Sequence, residues 1–254
     1  MKNHRLGIML PWCLLLLGVS AQAATYTATM MPGSCVNSAA VGSEAWSNPG
    51  NALTSNNSRA QATVNDFEVT NYLQCTNYGF SIPAGATITG ITVNVERMSE
   101  HNTRTRDSSV RLIKAGSVVG LDRATATAWP TTEAVEAHGG ASDLWGTTWT
   151  PAEINASNFG VAVSAYKPGD SGGSYDVSVD SLQIVVTYSV PLDCSPPAGA
   201  PAGVTCVCDE FDRASLNPSP IFGGNWIVST SDSTGILPRI ATNGYMRLTE
   251  NTGN

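Results

Sequence analysis

The chain has 254 residues, of which 42% are apolar and 13% charged, and carries a formal net charge of −7. That balance excludes recognition of nucleic acid or of an anionic membrane through a basic patch, and favours neutral or cationic partners. The length leaves room for one domain of ordinary size and part of another.

Lys2 and Arg5 precede an apolar run from Leu6 to Val19, and Ala21-Gln22-Ala23 has the small-x-small form of a cleavage site. Residues 1–23 therefore read as a secretory signal peptide, and the protein is expected to be exported, extracellular or on the outer surface of a bacterium. Cys13 lacks the small residues of a lipoprotein cleavage site, which argues against a lipid anchor. No later segment reaches the roughly 18 apolar residues of a membrane span. Losing Lys2 and Arg5 takes the 13 basic residues to 11 against 20 acidic ones, a charge of −9. Export makes disulfides available, and Cys35 with Cys75 is the natural pair. Cys194, Cys206 and Cys208 leave one thiol over. Their spacing is poor for zinc, which wants four ligands, so no metal is assigned to them.

Tyr26, Ala28 and Met30 alternate with threonines, an edge or closing strand. Residues 32–59, rich in Gly, Ser, Asn and Pro, are expected to form a long loop anchored by Val36, Val41, Trp46 and Leu53. Strand-like residues resume from Gln61 to Leu73, and Phe80 and Ile82 are expected to end a strand that leads into a turn at Pro83 to Ala86. Ile91, Val93 and Val95 alternate with Thr92, Asn94 and Glu96, the clearest half-buried antiparallel strand. Val110 to Lys114, the turn Ala115-Gly116 and Val118 to Leu121 spell a hairpin. Trp129 to Asp143 reads as a polar surface excursion.

The stretch Leu144–Ala165 holds three signals together. Thr150, Pro151 and Glu153 spell a capped helix start, Gly160 requires that helix to be short, and Val161, Val163 and Ala165 alternate as a strand with one buried face. Trp145, Trp149, Ile154 and Phe159 are placed to cover one end of a core. A last long strand runs from Tyr175 to Tyr188, with an irregularity near Ser181-Leu182 where the apolar phase shifts. About eight short strands with almost no helical period predict an all-β fold, an antiparallel β-sandwich of jelly-roll-like type over residues 24–189. Residues 190–208 read as a Pro/Ala/Gly/Cys linker, and residues 209–254 are expected to be the truncated start of a second β domain.

Two stretches carry resemblances. Phe80 to Arg97, Asp107 to Leu112, Trp129 to Thr131 and Leu144 to Ala165 are similar to a β-sandwich module of bacterial surface proteins and phage particles. Asp209 to Leu216, Trp226 and Pro238 to Leu248 resemble the opening of the concanavalin-A-like, lectin-like domain in MshQ-type proteins. Those are encoded with mannose-sensitive haemagglutinin type IV pili. The resemblances imply a fold and a cell-surface setting, and carry over no ligand residues.

Several groupings invite chemistry. Gly169-Asp170-Ser171-Gly172-Gly173 fits serine nucleophile patterns, but an elbow must lead from strand into helix, and His101 and His138 stand in stretches read as polar loops. Glu96, Glu100, Asp107, Asp176 and Asp180 are scattered and read as a solvated face rather than a glycosidase pair. No catalytic residue is assigned and no cofactor is required; structural calcium on Asp170, Asp176 and Asp180 is the one metal reading. Trp129, Trp145 and Trp149 are candidate sugar-stacking residues, Trp129 being the one expected to be exposed. The expected function is a non-enzymatic, exported adhesion or presentation protein with glycans or pilus and cell-surface proteins as partners. The alternatives are an accessory binding module of a carbohydrate-active enzyme and a structural phage or particle protein.

Overall fold

A computed structural model describes residues 23–100, 105–169 and 173–191. They form a compact unit spanning Ala23–Pro191. The expected leader, nearly all of the linker and the second domain lie outside the described residues, as do Cys13, Cys194, Cys206 and Cys208. Among the described residues no helix is long and apolar enough to cross a membrane.

Among the described residues ten strands follow in order: β1 (Ala24–Met30), β2 (Ser34–Ser38), β3 (Ala60–Val64), β4 (Tyr72–Thr76), β5 (Thr87–Ser99), β6 (Arg106–Lys114), β7 (Ser117–Val119), β8 (Ala134–Gly140), β9 (Gly160–Tyr166) and β10 (Tyr175–Val190). One sheet runs β1-β10-β5-β8, with β3 also paired to β10; the other runs β2-β4-β9-β6-β7. All these ladders are antiparallel. The chain changes sheet at every connection except the β6–β7 hairpin. Residues of both sheets join in one core, as an all-β sandwich requires.

Local chemistry accounts for the strands read correctly. In β5, Ile91, Val93 and Val95 are fully buried while Thr92, Asn94 and Glu96 are partly exposed. Their ladder on β10 matches Val93 to Ile184 and Val95 to Leu182, so both strands turn apolar side chains to the same side. Lys114 faces Ser117 across Ala115 and Gly116, whose φ values of 52° and 80° are those of a type I′ turn. At α1 (Pro151–Asn155), the one α-helix among the described residues, the Glu153 amide donates to the Thr150 hydroxyl and the Thr150 amide to the Glu153 carboxylate, completing the capping box. The Cys35–Cys75 disulfide joins facing residues of β2 and β4. The expected irregularity of the last strand is a shift of register between Val179 and Ser181 that leaves Asp180 outside the ladder.

Four expectations are corrected. The stretch 32–59 contains β2 and a 3-10 turn at Pro49–Ala52. β2 was hidden because its inward residue is Cys35, while Val36 is 50% exposed. Phe80 and Ile82 are buried without being in a strand. The Asn155 side chain instead pairs with the Ile82 backbone, accepting from its amide at 2.8 Å and donating to its carbonyl at 2.9 Å. The excursion after Trp129 contains β8, which adds to β5 as an edge strand. Finally, β9 is buried on both faces, because it is central in its sheet and Ala162 packs outward against Tyr72 and Ile113.

Candidate functional site

The three candidate stacking residues are inside. Trp129 and Trp145 have no exposed surface and Trp149 only 7%. Each indole N–H is committed to the protein: Trp129 donates to Asp107 at 2.9 Å, Trp145 to the Ile91 carbonyl at 2.9 Å, and Trp149 to the Leu144 carbonyl at 3.1 Å. Trp149 also meets Phe159 edge to face, with ring centres 5.3 Å apart. Exposed Trp129 is thus corrected: the polar residues around it in sequence are the loop that carries it inward. Truncating it would cost about 3–5 kcal/mol of core packing.

Trp129 closes over a buried ionic group that joins the sheets. Arg97 points inward from β5 and Asp107 inward from β6, and they form an ion pair whose side chains are 1% and 0% exposed. Asp107 Oδ1 also accepts from Trp129, while Oδ2 accepts from the Thr125 amide at 3.0 Å and the Thr125 hydroxyl at 3.1 Å. The guanidinium lies 5.1 Å from the Trp129 ring centre, a cation–π contact. Burial pushes the Arg97 pKa below its ordinary value, against the opposing pull of Asp107 and Glu136.

His138, which reads as a loop residue, is on β8 and completes the group. Its Nδ1 is 2.9 Å from the Arg123 carbonyl, which only accepts, so Nδ1 carries a proton there. Nε2 lies 3.4 Å from Arg97 Nη1 and 3.8 Å from Asp107 Oδ2. An acid, a base and an aromatic N–H thus converge, but a catalytic group must come within reach of a substrate proton. These side chains are closed off from solvent and act on one another.

The remaining carboxylates separate. Glu100 and Asp176 meet through the backbone: the Glu100 amide donates to the Asp176 carbonyl at 3.0 Å, and the Asp176 amide to the Glu100 carboxylate at 3.3 Å. Asp176 Oδ1 accepts from the Thr63 hydroxyl at 2.6 Å. Asp170 and Ser171 lie outside the described residues, as does His101.

Glu96 and Asp180 do come together, with Glu133, a residue the sequence reading passed over. One carboxylate oxygen from each lies within 4.8 Å of the others. Glu96 projects from β5, Glu133 immediately precedes β8, and Asp180 is the bulged residue of β10, so three adjacent strands converge. Arg59 binds Glu133 with two bonds of 2.8 Å. That bond holds the Arg59 pKa above its ordinary value despite partial desolvation, and the fields of Glu133, Asp180 and Glu96 add to it.

A third feature is the outer face of the β1-β10-β5 sheet. Leu182, Ile184 and Val186 of β10 belong to the core, so Gln183, Val185 and Thr187 point the other way. Thr92 and Asn94 stand beside Val185 and Gln183, and Thr27 and Thr29 beside Thr187 and Val185. Asn94 donates to Gln183 at 3.0 Å. The result is a face of hydroxyls and amides around Val185, bounded by Glu96 beyond Asn94, on which Thr25, Thr27 and Thr29 are exposed.

No protein-family model and no curated protein matches the chain. Among solved structures, a chain of the cyanophage Pam1 capsid asymmetric unit is 13% identical with a TM-score of 0.26, over 75% of this chain and 98% of that one. A structure described as "CBM4 structure and function" is 13% identical with a TM-score of 0.29, over 59% of this chain and 92% of that one. A chain of infectious bursal disease virus, Gt strain, is 12% identical with a TM-score of 0.24, over 74% of this chain and 38% of that one. Likeness at this level carries no activity or ligand to this protein.

Proposed function

We propose that the domain is a non-enzymatic, exported adhesion or presentation module whose ligand class is neutral glycan, in a cell-surface or pilus-associated setting. The observation that carries this reading is the polar face built by Thr25, Thr27, Thr29, Thr92, Asn94 and Gln183. It offers hydroxyl and amide groups at strand spacing without a formal charge. Such groups exchange hydrogen bonds with sugar hydroxyls at little electrostatic desolvation cost, whereas an anionic ligand would find no counter-charge among them. The inward use of Asp107, His138 and the indoles supports the non-enzymatic part of the reading, and the Cys35–Cys75 disulfide supports an oxidising location.

The test is binding of the purified protein to a broad glycan array, beside Thr27→Lys, an exposed change that leaves the core untouched. Specific signal from the parent and its loss in Thr27→Lys supports the reading. A blank array from protein with a native near-UV circular dichroism spectrum sinks it.

A further inference from the structure

We propose that Glu96, Glu133 and Asp180 form a calcium site on the outer side of the β10-β5-β8 sheet, independent of the glycan face. The spacing is the first argument. Oxygens that bind one calcium ion at 2.3–2.6 Å are at most about 5 Å apart, and the three carboxylate oxygens lie within 4.8 Å of one another.

Asp180 supplies the second, independent argument. It is 1% exposed, and its Oδ1 is buried with no hydrogen-bond partner among the described residues. A buried polar oxygen without a partner is costly, and native structures almost always satisfy one. Its other oxygen is fully engaged: Oδ2 accepts from the Asn56 amide at 2.9 Å and the Asn57 amide at 3.1 Å. Asn57 has a φ of 64°, and this left-handed turn lets two successive amides point at one oxygen. The loop thus anchors one side of the carboxylate, and the orphaned oxygen remains for a cation.

The bulge gives the third. The ladder passes from Val179–Arg97 to Ser181–Glu96, so Asp180 is an inserted residue, and bulges of this kind redirect side chains at sites. Ser181 donates to Glu96 at 2.9 Å, which orients that carboxylate beside the bulge. Three carboxylates against the single guanidinium of Arg59 leave a net charge of −2. The donor set is entirely oxygen, which suits calcium and magnesium and not zinc or copper, and a site assembled from three strands and a loop fits the flexible geometry of calcium better than the strict octahedron of magnesium.

The experiment is calorimetric titration of the EDTA-treated protein with CaCl2 and MgCl2, with thermal unfolding at matched ionic strength. The expected result is one calcium site with a Kd of roughly 10⁻⁴–10⁻³ M, the range of extracellular modules, and a Tm raised by about 5 °C in 10 mM CaCl2. Glu96→Gln and Glu133→Gln each lose this response while remaining folded; Asp180→Asn loses it too, but its fold is less secure. Arg59→Gln distinguishes a cation site from an ion-pair network. Removing the resident positive charge should tighten calcium binding about tenfold. A titration without heat and a Tm indifferent to calcium would overturn the proposal. So would a full response in Glu133→Gln, an equal response to magnesium, or weaker binding in Arg59→Gln.

Discussion

Replacing Asp107 by Asn changes the side-chain volume almost not at all and removes one charge from the middle of the sandwich. Asp107 accepts from Arg97 and Trp129 on one oxygen and twice from Thr125 on the other. An asparagine has a single acceptor end, so its NH2 must face one of these donor pairs whichever way it is turned. Turned one way it leaves the buried guanidinium and the Trp129 N–H unpaired, at about 1–3 kcal/mol each; turned the other way it leaves the part-buried Thr125 amide unpaired, the Thr125 hydroxyl rotating to accept. Breaking a buried ion pair by removing one partner costs about 3–5 kcal/mol, in agreement with that sum. Against a domain stability of about 5–15 kcal/mol this is a large fraction. Urea unfolding with the disulfide intact should show a loss of at least about 3 kcal/mol, and Tm should fall by roughly 6–20 °C. The double variant Arg97→Met with Asp107→Leu should recover most of the loss, since an apolar replacement of a buried pair is often neutral or stabilising. A loss below about 1 kcal/mol for Asp107→Asn, or a double variant worse than the single one, would refute the reasoning.

Other consequences are equally direct. Cys35→Ser with Cys75→Ser opens a closure of 40 residues, which should cost about 4 kcal/mol in the denaturation midpoint by chain entropy; a change under about 1 kcal/mol would remove the disulfide from the account. Gly139 has a φ of 76°, and a β-carbon there would lie 2.5 Å from the Ile91 carbonyl and 2.6 Å from Trp145 Nε1. Gly139→Ala should therefore destabilise by at least about 1–3 kcal/mol and shift the tryptophan fluorescence, whereas a native spectrum and midpoint would contradict the packing. Acid sensitivity follows from two carboxyls. Burial works against the charge of Asp143, but the Arg123 guanidinium and the Trp145 amide hold its pKa below the ordinary 3.8; Lys114 and the Thr150 amide hold that of Glu153 below the ordinary 4.5. A depressed folded-state pKa stabilises above the unfolded value and is lost as pH falls through the folded one. The urea midpoint should thus change little through these groups from pH 7 to about pH 5 and fall below about pH 4, less steeply in Arg123→Gln; an equal slope in that variant would contradict the assignment.

The parts legible in the sequence are those whose chemistry is local. The alternation of Ile91, Val93 and Val95, the two-residue turn after Lys114 and the reciprocal cap of Thr150 and Glu153 each need only neighbours along the chain. The phase change near Ser181 revealed the bulge for the same reason. β2 and β8 escaped because their inward positions are held by Cys35 and His138 rather than by aliphatic residues, so no apolar alternation marks them. Trp129 was misplaced because its decisive partner, Asp107, lies on another strand of the other sheet from β8. A signal was available: Arg97 continues the inward phase of Val93 and Val95, and an arginine at such a position implies a buried acid opposite. The Glu96, Glu133 and Asp180 group had no such signal, since three strands and a bulge are needed to assemble it.

The most direct test of the central claim is a heteronuclear NMR titration of the isotope-labelled protein with neutral oligosaccharides. The account predicts amide and side-chain shifts concentrated at Thr25, Thr27, Thr29, Thr92, Asn94 and Gln183, with the indole N–H signals of Trp129 and Trp145 unmoved. Shifts centred elsewhere on the sandwich, or none from any glycan at millimolar concentration, would contradict it.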